Sequence, residues 1–240
     1  MSIAPQFPPR LKGLAAGPAN PMVIACDQAR RGVEAGLLPW SIGPERLRAA
    51  LVLAPETALE TAIGAFAACG VGLQNALGAL APPEVAVHLE WQGGLRVNGG
   101  HCGTLSVAAS INDPKAEPDW LIVGLDLTLR QPPDWEPGET PDWTGLHEEG
   151  CGEIVPVHLL EAWARHCLVW LNELEQAGGR ARLHREWEAL AWKRGQDIVL
   201  VQNGARLTGR FLGVDENFGV LLKTATGTRL IPLHSRLMEV

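Results

Sequence analysis

The sequence predicts an α+β protein: a mainly antiparallel sheet packed with helices, followed by a small C-terminal β-barrel. Three observations carry that expectation. Hydrophobic residues make up 46% of the 240 and charged residues 20%, which supports a buried core and excludes a disordered, collagen-like or coiled-coil chain. The stretch from Thr61 to Pro83 carries no charge and spaces its larger side chains at helical intervals, while short apolar runs bounded by turn residues follow it. Beyond residue 194 the texture changes to brief strands separated by turn dipeptides, and a chain of this length allows two units at most.

In chain order, the first twenty residues carry Pro5, Pro8, Pro9 and Pro18 without periodicity and are expected to wrap the surface or hang free. Arg48 to Ala54 is an apolar run of strand length closed by Pro55. Glu56 to Leu80 then spaces Leu59, Ile63, Phe66, Ala67, Gly70, Leu73 and Leu77 at three- and four-residue steps, so one buried helix is expected. Val85 to Glu90, Leu95 to Asn98, Thr104 to Ala109 and Trp120 to Leu129 read as strands, with Gly93-Gly94 and Asn98-Gly99-Gly100 as turns between them. Residues 131–150 repeat Pro-Asp-Trp at Pro133 and Pro141 and read as a loop, with the geometry of a lid as one option. Pro156 suits the first turn of a helix whose apolar face is Leu160, Trp163, Ala164, Cys167, Leu168, Leu171 and Leu174, ending at Gly178-Gly179. Leu183, Trp187 and Leu190 mark a second, shorter helix. From Gly195 onward, DIVLVQ, RLTGRFLGV, VLLKT, TRLIPL and RLMEV make five short strands, with turns at Asn203-Gly204, Asp215 to Gly219 and Thr226-Gly227. Residues 1–194 and 195–240 are the two expected domains.

Charge and cysteine content narrow the function. Twenty Lys+Arg against 27 Asp+Glu give −7, so no general surface for neutralising phosphate exists, and neither a nucleic-acid nor a membrane partner is expected. The uncharged stretch is long enough on paper for a membrane span, but Gln74, Asn75 and the Pro82-Pro83 stop favour a buried helix. Five cysteines without a C-x-x-C pair, after a start with no signal pattern, point to reduced thiols in the cytoplasm. The lysines are only Lys12, Lys115, Lys193 and Lys223, which limits any mechanism that needs an ammonium group.

The stretch EWQGGLRVNGGHCGTL, Glu90 to Leu105, resembles the signature of the biotin/lipoate protein ligase superfamily: K-W-P-N-D, a short strand, N-G, a lysine, then G-I-L. The surrounding order agrees. LRAALVLAPE precedes the long helix, DWLIVGLDLTL stands where the family has G-I-G-x-N, an E-W falls near 187, and GRFLGVDENFGVLL resembles G-x-x-x-G-I-D-x-x-G-x-L-L of the terminal barrel. The resemblance implies a fold like that of the class II aminoacyl-tRNA synthetases and biotin synthetases, with an SH3-like barrel after it. It also implies a chemistry. A carboxylic acid such as biotin, lipoate or octanoate attacks the α-phosphate of ATP, and the acyl-adenylate then acylates a lysine of a biotinyl or lipoyl carrier domain. Joining two anions requires concentrated positive charge, from Mg²⁺ and from basic side chains.

This sequence departs from the signature where the chemistry is concentrated. Glu90 stands at the lysine of K-W-P-N-D, Trp91 is kept, and Gln92, Gly93 and Gly94 replace the proline, asparagine and aspartate. The second lysine falls at Gly100 or His101. VEAGLLPW, ahead of the first apolar strand, holds no arginine, and at G-I-G-x-N Thr128 stands near the asparagine with Asp126 inside the strand.

Three functions follow from the resemblance. The first is a divergent ligase, with Arg46, Arg48 or Arg96 supplying the lost charge. The second is acyl transfer from a thioester without ATP, with Cys102 or Cys151 of GCGE as nucleophile and His101 as its partner. The third is a binding or regulatory module without turnover. Trp40 and Trp91 are the candidate flat walls of an acyl pocket, and Gly93, Gly94 and Gly103, with Arg96, Asn98 and Asp126, the remaining candidate ligand contacts; no metal ligand is assigned. Each residue has a plainer reading. Cysteines are mostly core, glycines here suit hairpins, and adjacent His101 and Cys102 point to opposite faces of a regular strand.

Overall fold

The computed structural model describes residues 4–136, 138, 140–202 and 204–239. A seven-stranded mixed sheet holds β1 (Lys12–Ala15), β2 (Leu37–Ile42), β3 (Arg46–Leu53), β4 (Val87–Leu89), β5 (Gly94–Val97), β6 (Gly100–Ala109) and β7 (Leu121–Thr128) in the order β1-β2-β3-β7-β6-β5-β4. Every pairing is antiparallel except β1 with β2.

The N-terminal region is more ordered than its prolines predict. Leu11 is buried and β1 pairs with β2, and a helix, α1 (Pro21–Arg30), follows. Its start is written locally: Asn20 accepts a hydrogen bond from the Met22 amide at 2.9 Å, and Pro21, which has no N–H to leave unsatisfied, occupies the first turn. Pro39 breaks the pattern of β2 and hid that strand from the sequence reading.

The long apolar stretch forms two helices rather than one, α2 (Leu59–Ala62) and α3 (Gly64–Leu80). Together they are long and apolar enough to cross a membrane, yet 72% of the most apolar window is buried inside the fold. The reason is α4 (Pro156–Leu174), which packs along α3. Small side chains let the two approach: a Cβ on Gly72 would stand 3.1 Å from the Cys167 amide nitrogen. Trp163, fully buried on α4, donates its indole N–H to the Cys69 carbonyl at 3.1 Å. The second short helix is α5 (Gly179–Leu190), with Leu183 and Trp187 buried.

The C-terminal sheet comprises β8 (Asp197–Gln202), β9 (Ala205–Val214), β10 (Val220–Thr224) and β11 (Gly227–Ile231), in the order β11-β10-β9-β8. It has four strands where five were expected. The last run, RLMEV, forms no strand over its described residues 236–239, Val240 lying outside them: a short 3₁₀ turn covers Leu233–Arg236, and the Met238 amide then donates to the Val107 carbonyl of β6 at 2.9 Å. Asn203 of the first turn lies outside the described residues. In the turn at Asp215, its carboxylate accepts from the amides of Asn217 and Gly219 at 3.0 and 2.7 Å.

One contiguous core joins the two sheets, running from Leu47, Leu125 and Phe66 to Phe211, Phe218 and Leu222. Trp91 pins the junction, donating its buried indole N–H to the Phe218 carbonyl at 2.8 Å. Trp91→Phe keeps the ring's burial but strands that carbonyl, so the urea midpoint is expected to fall by the equivalent of about 1–2 kcal/mol.

Candidate functional site

Alternation sends Leu47, Ala49 and Leu51 of β3, Val123, Leu125 and Leu127 of β7, and Leu105 and Val107 of β6 to the main core. The intervening residues face the other side of the sheet. Register aligns them in rows: Ser41, Arg48, Asp126 and Thr104 stand side by side across β2, β3, β7 and β6, and Ala50, Gly124 and Ser106 form the next row. In the row beyond, Val52, Ile122 and Ala108 are covered by Ala25, Cys26 and Ala29 of α1 in a second, smaller core. The helix therefore seals the apolar end of this outer face and leaves the polar end open.

What remains is a cavity of about 260 Å³. Arg48, Thr104, Ser106, Gly124 and Asp126 make its floor; Asn20, Met22 and Val23 of α1 stand on one side, and Met238 reaches it from the C-terminal segment. Gly124 keeps the floor low, because a Cβ there would stand 2.5 Å from Ser106 Oγ and 3.0 Å from Met22 Sδ. Arg46 pairs with Asp126, Nε to Oδ1 at 2.8 Å, with both side chains over 40% exposed, so the pair is worth at most about 1 kcal/mol. Arg48 is different. Its Nε is buried and has no hydrogen-bond partner among the described residues. Ser41 is already used, donating to the Gly17 carbonyl at 2.6 Å.

Of the residues singled out from sequence, Asp126 is in this cavity, and Arg48 from the list of substitute cations joins it. Trp40 and Trp91 do not line it. Trp40 shares the face of Ala49, which is the core side, and Trp91 is committed to the junction with the C-terminal sheet. Arg96 is not a free cation: its Nε lies 2.5 Å from Glu90 Oε1, its Nη1 donates to the Gly99 carbonyl at 3.1 Å, and its guanidinium stacks 5.5 Å from the Trp192 ring.

The glycines and Asn98 build hairpins instead of a phosphate cradle. Gly93 has φ +99°, its amide donates to the Glu90 carbonyl, and a Cβ would collide with the Leu105 carbonyl. At Gly94 the Glu90 carboxylate fills the space a side chain would need, and at Gly103 the Asp126 carbonyl does so. Asn98, at φ 49°, accepts from the Ala86 amide at 2.9 Å. The amide and carboxylate that would organise Mg²⁺ thus have no counterpart at Gly93 and Gly94. Among the described residues, no group of three or more His, Cys, Asp or Glu side chains could hold a metal ion.

His101 and Cys102 part company as strand geometry requires. His101 pairs with Arg96 and meets the Trp143 ring edge-on at 4.4 Å, where the loop of residues 131–150 crosses β6; burial pushes its pKa down, opposed by Glu90. Cys102 sits in a bulge, fully buried, 3.4 Å from the Thr128 carbonyl. Cys151 is also buried, 3.8 Å from the Glu149 carbonyl. Burial, then neighbouring Glu149, holds the Cys151 thiol above its ordinary pKa, and burial, then Cys151 and Glu149, does so for Cys102. Neither has the lowered pKa or the exposure of a nucleophile. Iodoacetamide at pH 8 is expected to leave both unmodified in the native protein and to alkylate both in 6 M urea, read by peptide mass spectrometry.

Sequence reasoning missed Thr104, Ser106 and Gly124. The period-2 alternation of GHCGTLSVAA and LIVGLDLT carried the signal, since each places its polar or small residues on the side opposite its leucines and valines.

Comparison with known proteins adds to this geometry. The model of the biotin/lipoate A/B protein ligase family matches residues 7–189, and a second model, described as a domain of unknown function, matches 201–239. A biotin–[acetyl-CoA-carboxylase] ligase from Paracoccus denitrificans is 26% identical over 217 residues, 88% of this chain and 87% of its own. Among solved structures, a biotin protein ligase-like protein of unknown function from Silicibacter sp. TM1040 is 51% identical with a TM-score of 0.90, covering 98% of this chain and 100% of its own. The Aquifex aeolicus biotin protein ligase in complex with biotin and ATP is 17% identical with a TM-score of 0.68, over 92% of this chain and 95% of its own.

Proposed function

Since the chain belongs to the biotin/lipoate A/B protein ligase family, we propose that it binds a carboxylic acid on the outer face of its main sheet and activates it with ATP for transfer to a carrier-protein lysine. The observation that carries this reading is Arg48, which lines the floor of a cavity and whose side chain has no ion pair or hydrogen bond among the described residues. Asp126 stands beside it but turns to Arg46, so an anionic group is the ligand that suits the guanidinium. A carboxylate held there has one oxygen turned from the floor, free to attack a phosphorus atom. Arg46, half exposed at the rim and only loosely held by Asp126, is the second cation this face offers to an ATP phosphate. ATP as co-substrate is consistent with the Aquifex aeolicus relative, whose structure holds biotin and ATP, and a carrier-domain acceptor with the Paracoccus denitrificans relative, named for action on acetyl-CoA carboxylase.

Residues 1–194 serve as the acid-activating unit in this proposal and 195–240 as an SH3-like accessory unit. Five buried free thiols fit a reducing, cytoplasmic setting.

A binding protein without turnover is the second reading. The closed Glu90–Arg96 pair favours it, together with the glycine turn where the family signature carries its asparagine and aspartate. Cysteine-dependent acyl transfer draws no support from two buried thiols with raised pKa values. The test is mass spectrometry of the protein incubated with ATP, Mg²⁺ and a mixture of biotin, lipoate, octanoate and short hydroxy acids. An acyl-adenylate with release of pyrophosphate is the expected result. Its absence beside an active control ligase would leave the binding reading in place.

A further inference from the structure

The floor of the cavity specifies more than an anion. We infer that its ligand is a carboxylic acid bearing a hydrogen-bond donor, a hydroxyl or ammonium group, near the carboxylate, and not an acid whose carboxylate continues as a plain alkyl chain; this rests on the sheet-face site proposed above. Four side chains of the floor are polar: Arg48, Asp126, Thr104 and Ser106. Ala49 and Leu125 border the cavity but are 2% and 3% exposed and turn to the core. Met22 and Val23 of α1 and Met238 of the C-terminal segment add apolar surface around that polar floor.

With its carboxylate on Arg48, an acid that continues as a plain alkyl chain would cover the Asp126 carboxylate without pairing it, and burying such a group unpaired is costly. No aromatic wall compensates, because Trp40 and Trp91 are engaged elsewhere. A carboxylate on Arg48 answers the cation. Asp126, its direct neighbour across the β3–β7 pair, uses only Oδ1 among the described contacts, toward Arg46, so its other oxygen is the acceptor for a donor group one to three bonds along the ligand. Thr104 and Ser106 stand in the same and the next row to hydrogen-bond what lies between. The cavity holds about 260 Å³, and a groove of about 520 Å³ shares its Met22, Val23 and Met238, so the donor pattern of the floor and not the volume is what selects the ligand.

The experiment is calorimetric titration of the full chain, without ATP, with hexanoate, 2-hydroxyhexanoate, 3-hydroxyhexanoate, 2-aminohexanoate, octanoate and biotin. The matched six-carbon acids differ only in the donor. At least one donor-bearing acid is expected to bind tenfold or more tightly than hexanoate, octanoate or biotin, and the hydroxy and amino arms distinguish the donor. Asp126→Asn should erase that preference, read as the ratio of the donor-bearing acid's affinity to that of hexanoate in the same variant. Thr104→Val, on the same floor but without charge, should weaken the hydroxy acid severalfold. Octanoate or biotin binding as tightly as the best donor-bearing acid would overturn the inference, as would a preference that survives Asp126→Asn in a variant with native unfolding behaviour, or no binding by any donor-bearing acid. The functional reading fails separately: a hydroxy acid that binds yet yields no adenylate with ATP sinks ligase activity and keeps this inference, whereas an octanoyl-adenylate formed on tight octanoate binding does the reverse.

Discussion

Arg48→Met is expected to lower acyl-adenylate formation by about 100-fold or more while leaving the urea midpoint almost unchanged. The two halves of that result come from the same fact. In the folded protein the Arg48 Nε gives nothing and receives nothing, so a methionine of similar length loses no hydrogen bond and relieves a buried unpaired group. In the proposed complex the same guanidinium makes a charge-assisted contact to one carboxylate oxygen, and removing a positioned donor of that kind costs roughly 3 kcal/mol. Pyrophosphate exchange and a denaturation curve on one preparation decide it. A large fall in the midpoint would mean that Arg48 is a structural residue, and unchanged exchange would remove it from the site. Arg46→Met is the internal contrast: its ion pair is half exposed, so stability should change by no more than about 1 kcal/mol.

The largest effect on stability is expected at Trp163. It is fully buried between α4 and α3, and its indole N–H satisfies the Cys69 carbonyl at a contact that Gly72 keeps close. Trp163→Ala opens a cavity that two packed helices cannot collapse around, with an expected loss of about 3–5 kcal/mol. Domains are stable by only about 5–15 kcal/mol, so the variant should be near the edge of folding at 37 °C. Trp163→Phe separates the contributions: the ring volume mostly survives and the hydrogen bond does not, for an expected loss of about 1–2 kcal/mol. Urea denaturation followed by circular dichroism measures both.

Much of this architecture is legible in the chain. The apolar run from Arg48 and the segments Thr104 to Ala109 and Trp120 to Leu129 announce three strands, Pro156 opens the helix that carries Trp163, and the turns at Gly93, Asn98-Gly99 and Asp215 fall where their residue types predict. The family resemblance rests on the same local text. Misses have specific causes. β2 was hidden by Pro39, α1 was overlooked although Asn20-Pro21 is a strong helix start, and the last residues have strand composition but leave the sheet to bond Val107.

The candidate site was legible only in part, and Trp40, Trp91 and Arg96 show why. A tryptophan is equally suited to a ligand wall or a junction, and an arginine to a phosphate or to its own Glu90; composition does not choose between them. Local sequence dictates which side of a strand each residue faces, because the pleat has period two, and so Arg48, Asp126 and Thr104 were bound to share a face once the strands paired. Which part of that face stays open is a matter of docking. α1 lies over Val52, Ile122 and Ala108, and Met238 reaches across from more than one hundred residues away in sequence, stopping beside the charged row. Those contacts are long-range, set by the packing of elements whose own patterns carry no record of their neighbours, and they turn a row of polar side chains into a cavity with an unpaired arginine in its floor.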